Sequence, residues 1–294
     1  MEYSNIKINR IVIWGLRKKW HTHRFIHKAF YENAKKLGYE VIWVEDEKKN
    51  AKFIKPGDLI ISADPVGKMV PEKFKFEDYN IPVRDDIFYC LHNMKTIFTD
   101  KLPKRRFLSL CIYNNSCEII PNIEKLGTVT FFDKKNRTLY QPWGTDLLDY
   151  EFKKPIFRKN NFVFWIGSIW NDVNNHGNVE EINNLKNVLK ENNLKFIHLR
   201  FIPNWLNMTF VRLSRIAPAI GGRKQVEIDY LPCRMFKNIS YGQLGITNIK
   251  KFKDILGDYY IEGDNIKEII EKALSLSKEY ETLSCEINRP LFPS

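Results

Sequence analysis

The chain has 294 residues, 44% hydrophobic and 14% aromatic, a composition that excludes a disordered polypeptide. Its length allows about two domains of roughly 150 residues each. The net charge of +12 is spread through both halves instead of being held in a tail, which points to an anionic partner or surface.

No apolar run approaches the roughly 20 residues of a bilayer-spanning helix, and the polar stretch from Met1 to Arg10 is unlike a secretory leader. The five cysteines (Cys90, Cys111, Cys117, Cys233, Cys285) are an odd set with no CxxC and no zinc-like spacing. Reduced thiols in a cytoplasmic protein are the expectation, with peripheral membrane contact as an addition that the basic charge allows.

Ile11-Val12-Ile13-Trp14 is a short apolar run ending at Gly15, the pattern of a buried strand in a parallel sheet. Phe25, Ile26, Ala29, Phe30, Ala34 and Leu37 then recur at helical spacing, and Gly38 supplies a stop. Val41–Val44 follows as a strand, which makes a β-α-β unit. Further strands are expected at Asp58–Ser62, Ile87–Cys90, Phe107–Cys111 and Val129–Phe132. Between residues 65 and 105 prolines and charges interrupt any helical pattern.

Around Tyr150 to Asn161 the hydrophobic pattern breaks, as in a linker, and then restarts. Phe162–Ile166 ends at Gly167 much as the first strand ends at Gly15. Asn178-Val179-Glu180-Glu181 reads as a capped helix start, with Ile182, Leu185, Val188 and Leu189 as its apolar stripe. Phe196–Leu199 and Leu244–Thr247 are strand-like, and Ile266, Ile269, Ile270, Ala273 and Leu274 define a last amphipathic helix with Asn265 and Glu268 at its cap. The expected fold class is therefore α/β, with two Rossmann-like domains, 1–150 and 151–294, facing a cleft.

Ligands of open α/β sheets bind beyond the carboxyl ends of the strands, and two such ends carry chemistry. At the first, Gly15 is followed by Arg17, Lys18, Lys19, Trp20, His21 and His23. Cations before a helix start can hold an anion, but neither the phosphate-loop spacing nor GxGxxG is present. His23 and His27 are four apart without the glutamate of HExxH, and no metal site is expected of them. At the second, residues 212–248, Gly221-Gly222-Arg223-Lys224 forms a basic glycine loop ahead of a helix starting near Pro232. Arg234 and Lys237 flank that helix start, and the whole is read as a diphosphate cradle.

The segment CRMFKNISYGQLGITN followed by GDYYIEGDNIKEIIEKAL resembles the donor half of GT-B glycosyltransferases: a helix, a glycine turn, a short strand and an amphipathic C-terminal helix. Gln141-Pro142-Trp143-Gly144-Thr145-Asp146 resembles the close of the N-terminal domain in that group, and Phe164-Trp165-Ile166-Gly167-Ser168 the opening of its donor domain. The resemblance implies an N-terminal acceptor domain, a C-terminal nucleotide-sugar domain, and transfer of a hexosyl or deoxyhexosyl group to a hydroxyl of a glycan or glycoconjugate. Two glutamates eight positions apart, frequent in retaining members, correspond to Asp229 and Lys237, so the ribose-holding role of the second is not reproduced.

On that resemblance, amides at Gly167 and Ser168 approach the donor phosphates, and Arg215, Lys224 and Arg234 stabilise the leaving diphosphate. Gln225, Asp229 and Asn238 position sugar and base, with Lys237 turned to phosphate. His92 is the first candidate general base and Asp64 the second. Arg17, Trp20 and His21 are assigned to the acceptor, while Trp143 and Trp170 stand beside loops where they can stack on a ring. Neither a metal nor a cofactor beyond the nucleotide-sugar is expected, and nucleic acid is not an expected partner. The competing readings are a nucleic-acid-binding protein, which lacks a recognisable module, and a sulfotransferase-like enzyme drawing on the first basic loop.

Overall fold

The structure is a computed structural model that describes residues 7–18, 22–63, 76–92, 101–103, 106–158, 160–171, 174 and 176–283. The chain is α/β and divides into two compact units, Met1–Ile112 with Cys117–Gln141, and Tyr113–Ser116 with Pro142–Ser294.

The first unit is built on one eight-stranded sheet. Its strands are β1 (Arg10–Trp14), β2 (Val41–Val44), β3 (Asp58–Ala63), β4 (Phe88–His92), β5 (Phe107–Ile112), β6 (Glu124–Gly127), β7 (Thr130–Asp133) and β8 (Thr138–Gln141). They lie in the order β2-β1-β3-β4-β5-β8-β7-β6. The first six of that order are parallel, whereas β6-β7-β8 form an antiparallel end. Helix α1 (Thr22–Lys36) connects β1 to β2.

All five residues of β1 are buried, as its apolar run requires for a strand covered on both faces. Val12 and Trp14 join a cluster with Ile60, Tyr89 and Leu91, while Ile11 and Ile13 pack with Ala34 of α1. Arg10 and Asp58 lock the adjacent strands β1 and β3. Arg10 Nε donates to Asp58 Oδ1 at 3.1 Å and Nη2 to Oδ2 at 2.7 Å, both residues being buried. Asp58 Oδ2 also accepts from the Lys55 amide at 2.7 Å, Arg10 Nη2 donates to Phe53 O at 2.6 Å, and Arg10 Nη1 lies 3.8 Å from Glu40 Oε1.

The second unit opens with β9 (Phe162–Ile166), α2 (Val179–Glu191) and β10 (Lys195–Leu199). Next come α3 (Asn204–Leu213), β11 (Ala217–Pro218), α4 (Arg223–Glu227) and α5 (Cys233–Ser240). It closes with β12 (Gly245–Ile246), α6 (Lys253–Leu256) and α7 (Ile266–Leu283). β9 pairs with β10 and β11 with β12, both parallel. β11 lies beside β9, where the Arg215 amide donates to Phe162 O at 2.7 Å. Val163 and Trp165 of β9 pack with Ile182, Leu185 and Leu189 of α2 and Ile269, Ile270 and Ala273 of α7, the stripes expected from helical spacing. Ile166 faces the opposite layer, with Val211 of α3 and Tyr241.

Several local expectations change. α3 was not foreseen, nor were β6 and β8. Asn178 does not cap α2: its Oδ1 accepts from the Trp170 amide at 3.0 Å and ties down the loop after β9 instead. The cap of α7 forms, with the Glu268 amide donating to Asn265 Oδ1 at 3.0 Å and the Asp264 amide to Glu268 Oε2 at 2.9 Å. Among the described residues no helix is long and apolar enough to cross a membrane.

Asp58→Ala leaves the buried Arg10 guanidinium with only the exposed Glu40, 3.8 Å away, as counter-charge, and is expected to cost about 3 kcal/mol in a denaturant titration. A double Arg10→Met, Asp58→Leu variant should lose much less, because it removes both charges together; equal losses would show that the pair's geometry, not its charge balance, holds the strands.

Candidate functional site

In the second unit, β9 has β10 on one side and β11 on the other. The chain leaves β9 for β10 through α2 and later returns to β11, so the strand order reverses at β9. The carboxyl end of a strand at such a reversal is where open α/β sheets bind ligands. At that end stand Ile166 and Gly167, and the first turn of α5 comes to meet them.

Arg234, the second residue of α5, carries the site. Its guanidinium lies over the Trp165 ring, 3.7 Å from the centroid, and its Nη2 donates to Ile166 O at 3.0 Å. The residue is half-buried, yet burial of the guanidinium pulls its pKa down to about 10, with only Cys233 and Tyr230 opposing that shift. It therefore remains cationic at neutral pH. Among the described residues no carboxylate forms an ion pair with it. Its position opposes its charge as well, because a helix N-terminus carries partial positive charge. Pro232 at the N-cap makes no side-chain bond to the first-turn amides of α5.

Gly167 is what lets Arg234 approach. A Cβ on Gly167 would stand 2.5 Å from Arg234 Nη2, and its φ of 125° is one that side-chain-bearing residues rarely adopt. The Gly167 amide is not turned to a ligand, since it donates to Leu199 O at 3.0 Å, extending the β9–β10 ladder. The Gly167 carbonyl accepts from His198 Nε2 at 2.7 Å, which puts an exposed histidine beside the same turn. Ser168, next in the chain, is exposed.

The expected cradle at Gly221-Gly222 closes on itself. The Gly221 amide donates to Asn248 Oδ1 at 2.8 Å and the Gly222 amide to Gln225 Oε1 at 3.0 Å, so Gln225 serves as a helix cap for α4. Lys224 reaches Glu227 at 3.3 Å. Asn238 is buried and donates to Ala217 O at 2.9 Å, a bond that holds α5 against β11. Lys237 lies 3.8 Å from Asp146, whose other oxygen accepts from Tyr241 Oη at 2.6 Å. Arg215 stands at the amino end of β11, the edge away from Gly167, and donates to the Arg158 carbonyl. Asp229, at φ 51°, accepts from Asn115 Nδ2 at 3.4 Å and lines a groove of about 600 Å³ with Asn184, Asn187, Asn248 and Asp264. Of the residues assigned to the donor, the structure thus brings Gly167, Ser168 and Arg234 together and places the others in structural bonds or elsewhere. Trp165 and His198 complete the constellation and were missed. Their signal was register, since His198 pairs with Trp165 across the two strands.

In the first unit, Arg17 donates to Trp43 O at 3.1 Å on the exposed side of the turn after β1. Trp20, His21 and Asp64 lie outside the described residues. His92 ends β4 but is 2% exposed, not presented to an acceptor. Its Nε2 is 2.7 Å from Nε2 of His27, which is 1% exposed, and the two rings meet edge to face at 4.9 Å. His23 adds a third ring at 5.1 Å, and Trp43 backs His27 at 6.2 Å. The cause is the helical spacing of His23 and His27, which turns both toward the sheet. Burial first, then His27 and His23, hold the His92 pKa well below the ordinary 6.5. Among the described residues there is no group of three His, Cys, Asp or Glu side chains arranged to hold a metal ion.

No family model matches this chain, and no curated protein matches it either.

The neutral His92 makes stability pH-dependent. With a folded value below 6.5, the unfolded chain binds more protons in acid. The contribution is intact above about 6.5 and falls as the pH drops below it. The denaturation midpoint should therefore decline between pH 7.5 and 5, and His92→Gln should flatten that decline; an unchanged slope in the variant would mean that His92 is already charged in the folded protein.

Proposed function

We propose that this chain is a glycosyltransferase of the GT-B type, taking a nucleotide-sugar donor at the carboxyl edge of its second unit and transferring the sugar to a hydroxyl. Arg234 carries this reading. A desolvated guanidinium held over Trp165, placed at the positive end of a helix and left without a carboxylate among the described residues, is unfavourable in the absence of an anion. A diphosphate bound there relieves all three penalties. The same charge then serves the reaction, because bond breaking between sugar and diphosphate leaves negative charge on the departing nucleotide. A preorganised cation at that point favours the transition state over the ground state, typically by about 3 kcal/mol.

The supporting groups follow from their positions. The first turn of α5 has no side-chain cap, and of its amides that of Met235 donates to Pro232 O at 3.1 Å. Ser168 offers a hydroxyl beside the turn, and His198, fixed to Gly167 O, offers its ring edge. The cationic charge at Arg234 takes the part that a divalent ion plays in other nucleotide-sugar enzymes. The first unit, with its mixed sheet and the basic turn after β1, is assigned the acceptor. The groove beside Asp229 offers amide and carboxylate groups suited to hydroxyl-rich ligands.

Thermal shift against UDP, GDP, CMP, dTDP and their sugars, with and without EDTA, tests the reading directly. One nucleoside diphosphate should raise the midpoint in both conditions. Arg234→Ala and Gly167→Ala should each weaken that nucleotide by about tenfold or more, the first by removing the cation and the second by displacing it. A shift that survives Arg234→Ala would put the nucleotide elsewhere. No shift with any nucleotide, together with a shift on oligonucleotides, would favour a nucleic-acid-binding protein.

A further inference from the structure

The groove beside Asp229 is a site in its own right. It lies where α2, the end of α4 and the start of α7 meet, and none of Trp165, Gly167, His198 and Arg234 lines it. Its volume of about 600 Å³ falls within the range of small-molecule sites, roughly 300–1,000 Å³. Its floor belongs to the core. Val188 and Ile269 are 8% and 1% exposed and pack in the same cluster as Trp165, so the floor is fixed before any ligand arrives.

The rim is polar, and several of its groups are uncommitted. Asn184 and Asn187, one helical turn apart on α2, are exposed and make no side-chain hydrogen bond among the described residues. The exposed Asp264 carboxylate accepts none either, and Asp229 gives only Oδ2 to Asn115. The lining charges balance, two carboxylates against Lys250 and Lys267, and Lys267 already lies 3.5 Å from Glu191. An anion approaching the start of α7 would meet Asp264 and also Glu268, whose Oε2 accepts from the Asp264 amide at 2.9 Å. Side-chain amides donate and accept, carboxylates accept, and an aliphatic floor takes up C–H groups. A sugar ring, neutral, dense in hydroxyls and apolar on one face, meets all three requirements.

We propose that this groove binds a neutral saccharide, with Asn184, Asn187, Asp229 and Asp264 bonding its hydroxyls and Val188, Val226 and Ile269 under its C–H face. The site does not depend on whether a nucleotide is taken at Arg234. The test is saturation-transfer NMR on the full chain, without nucleotide, using methyl glycosides of glucose, galactose, mannose, rhamnose and N-acetylglucosamine. At least one should take up saturation, equally at low and high salt because no ion pair forms. An Asn184→Leu, Asn187→Leu variant keeps side-chain size but loses both amides, and should bind about tenfold more weakly with an unchanged thermal midpoint. Asp264→Ala should weaken binding in the same direction. Arg234→Ala should leave the sugar bound, which separates this groove from the nucleotide reading. No saturation transfer to any of the glycosides would overturn the proposal, and so would binding indifferent to the groove variants. Binding lost in Arg234→Ala but kept in the asparagine variant would also overturn it, by placing the sugar at the Arg234 turn.

Discussion

The Arg10–Asp58 pair constrains the first unit more than any other contact. Both groups are buried between adjacent parallel strands, and neither can be desolvated without the other. Their two-pronged contact sets the stagger of β1 against β3, and a strand slipped by one residue would turn Ile11 and Ile13 toward the layer now filled by Val12 and Trp14. The carboxyl edge, with Gly15 and the enclosed histidines, inherits its alignment from this contact at the amino edge. In the second unit the comparable work is shared among neutral groups. Asn238 donates to Ala217 O, Thr247 Oγ1 to Ala219 O, and Ser214 Oγ to Ile216 O, and together they fasten the short β11 where ladder bonds alone are few.

The parts of the fold legible in the sequence were those with strong periodicity and a clean stop. β1, β2 and β9 stand out because buried parallel strands have continuous apolar runs, and each is followed by a loop that interrupts the run. The stripes of α2 and α7 read directly because each packs one face on the sheet. β6, with the sequence EKLG, carries no such signal: it is an edge strand whose side chains are half-buried or exposed. α3 was hidden for the opposite reason, because Trp205, Leu206, Met208, Phe210 and Val211 crowd its sequence with apolar residues on more than one face.

The site was legible only in part, and the reason is geometric. Glycines and cations close together suggested a phosphate cradle at 221–224, but a loop's amides can be satisfied from within. Asn248, remote in sequence, takes the Gly221 amide, and Gln225 takes that of Gly222. Composition gives no sign of such partners. Arg234 differs because two elements remote in sequence meet there: the start of α5, and the end of β9 with the ring of Trp165 and the carbonyl of Ile166. His92 shows the converse failure. Its place at a strand end suggested access to solvent, whereas the helix above supplied two more imidazoles to cover it.

The closeness of Gly167 to Arg234 also bears on how this sequence can change over time. The space that a methyl group at 167 would need is the space that the guanidinium fills, so the two positions do not vary independently. A lineage that loses the arginine first is freed from the steric part of the demand at 167 and keeps only the backbone one, set by φ 125°. A lineage that gains a side chain at 167 first must pass through an intermediate in which the arginine has been expelled from the ring of Trp165. Descendants that keep the Arg234 guanidinium over the ring of Trp165 should therefore carry both residues, while those that have lost that contact should differ at 234 before they differ at 167.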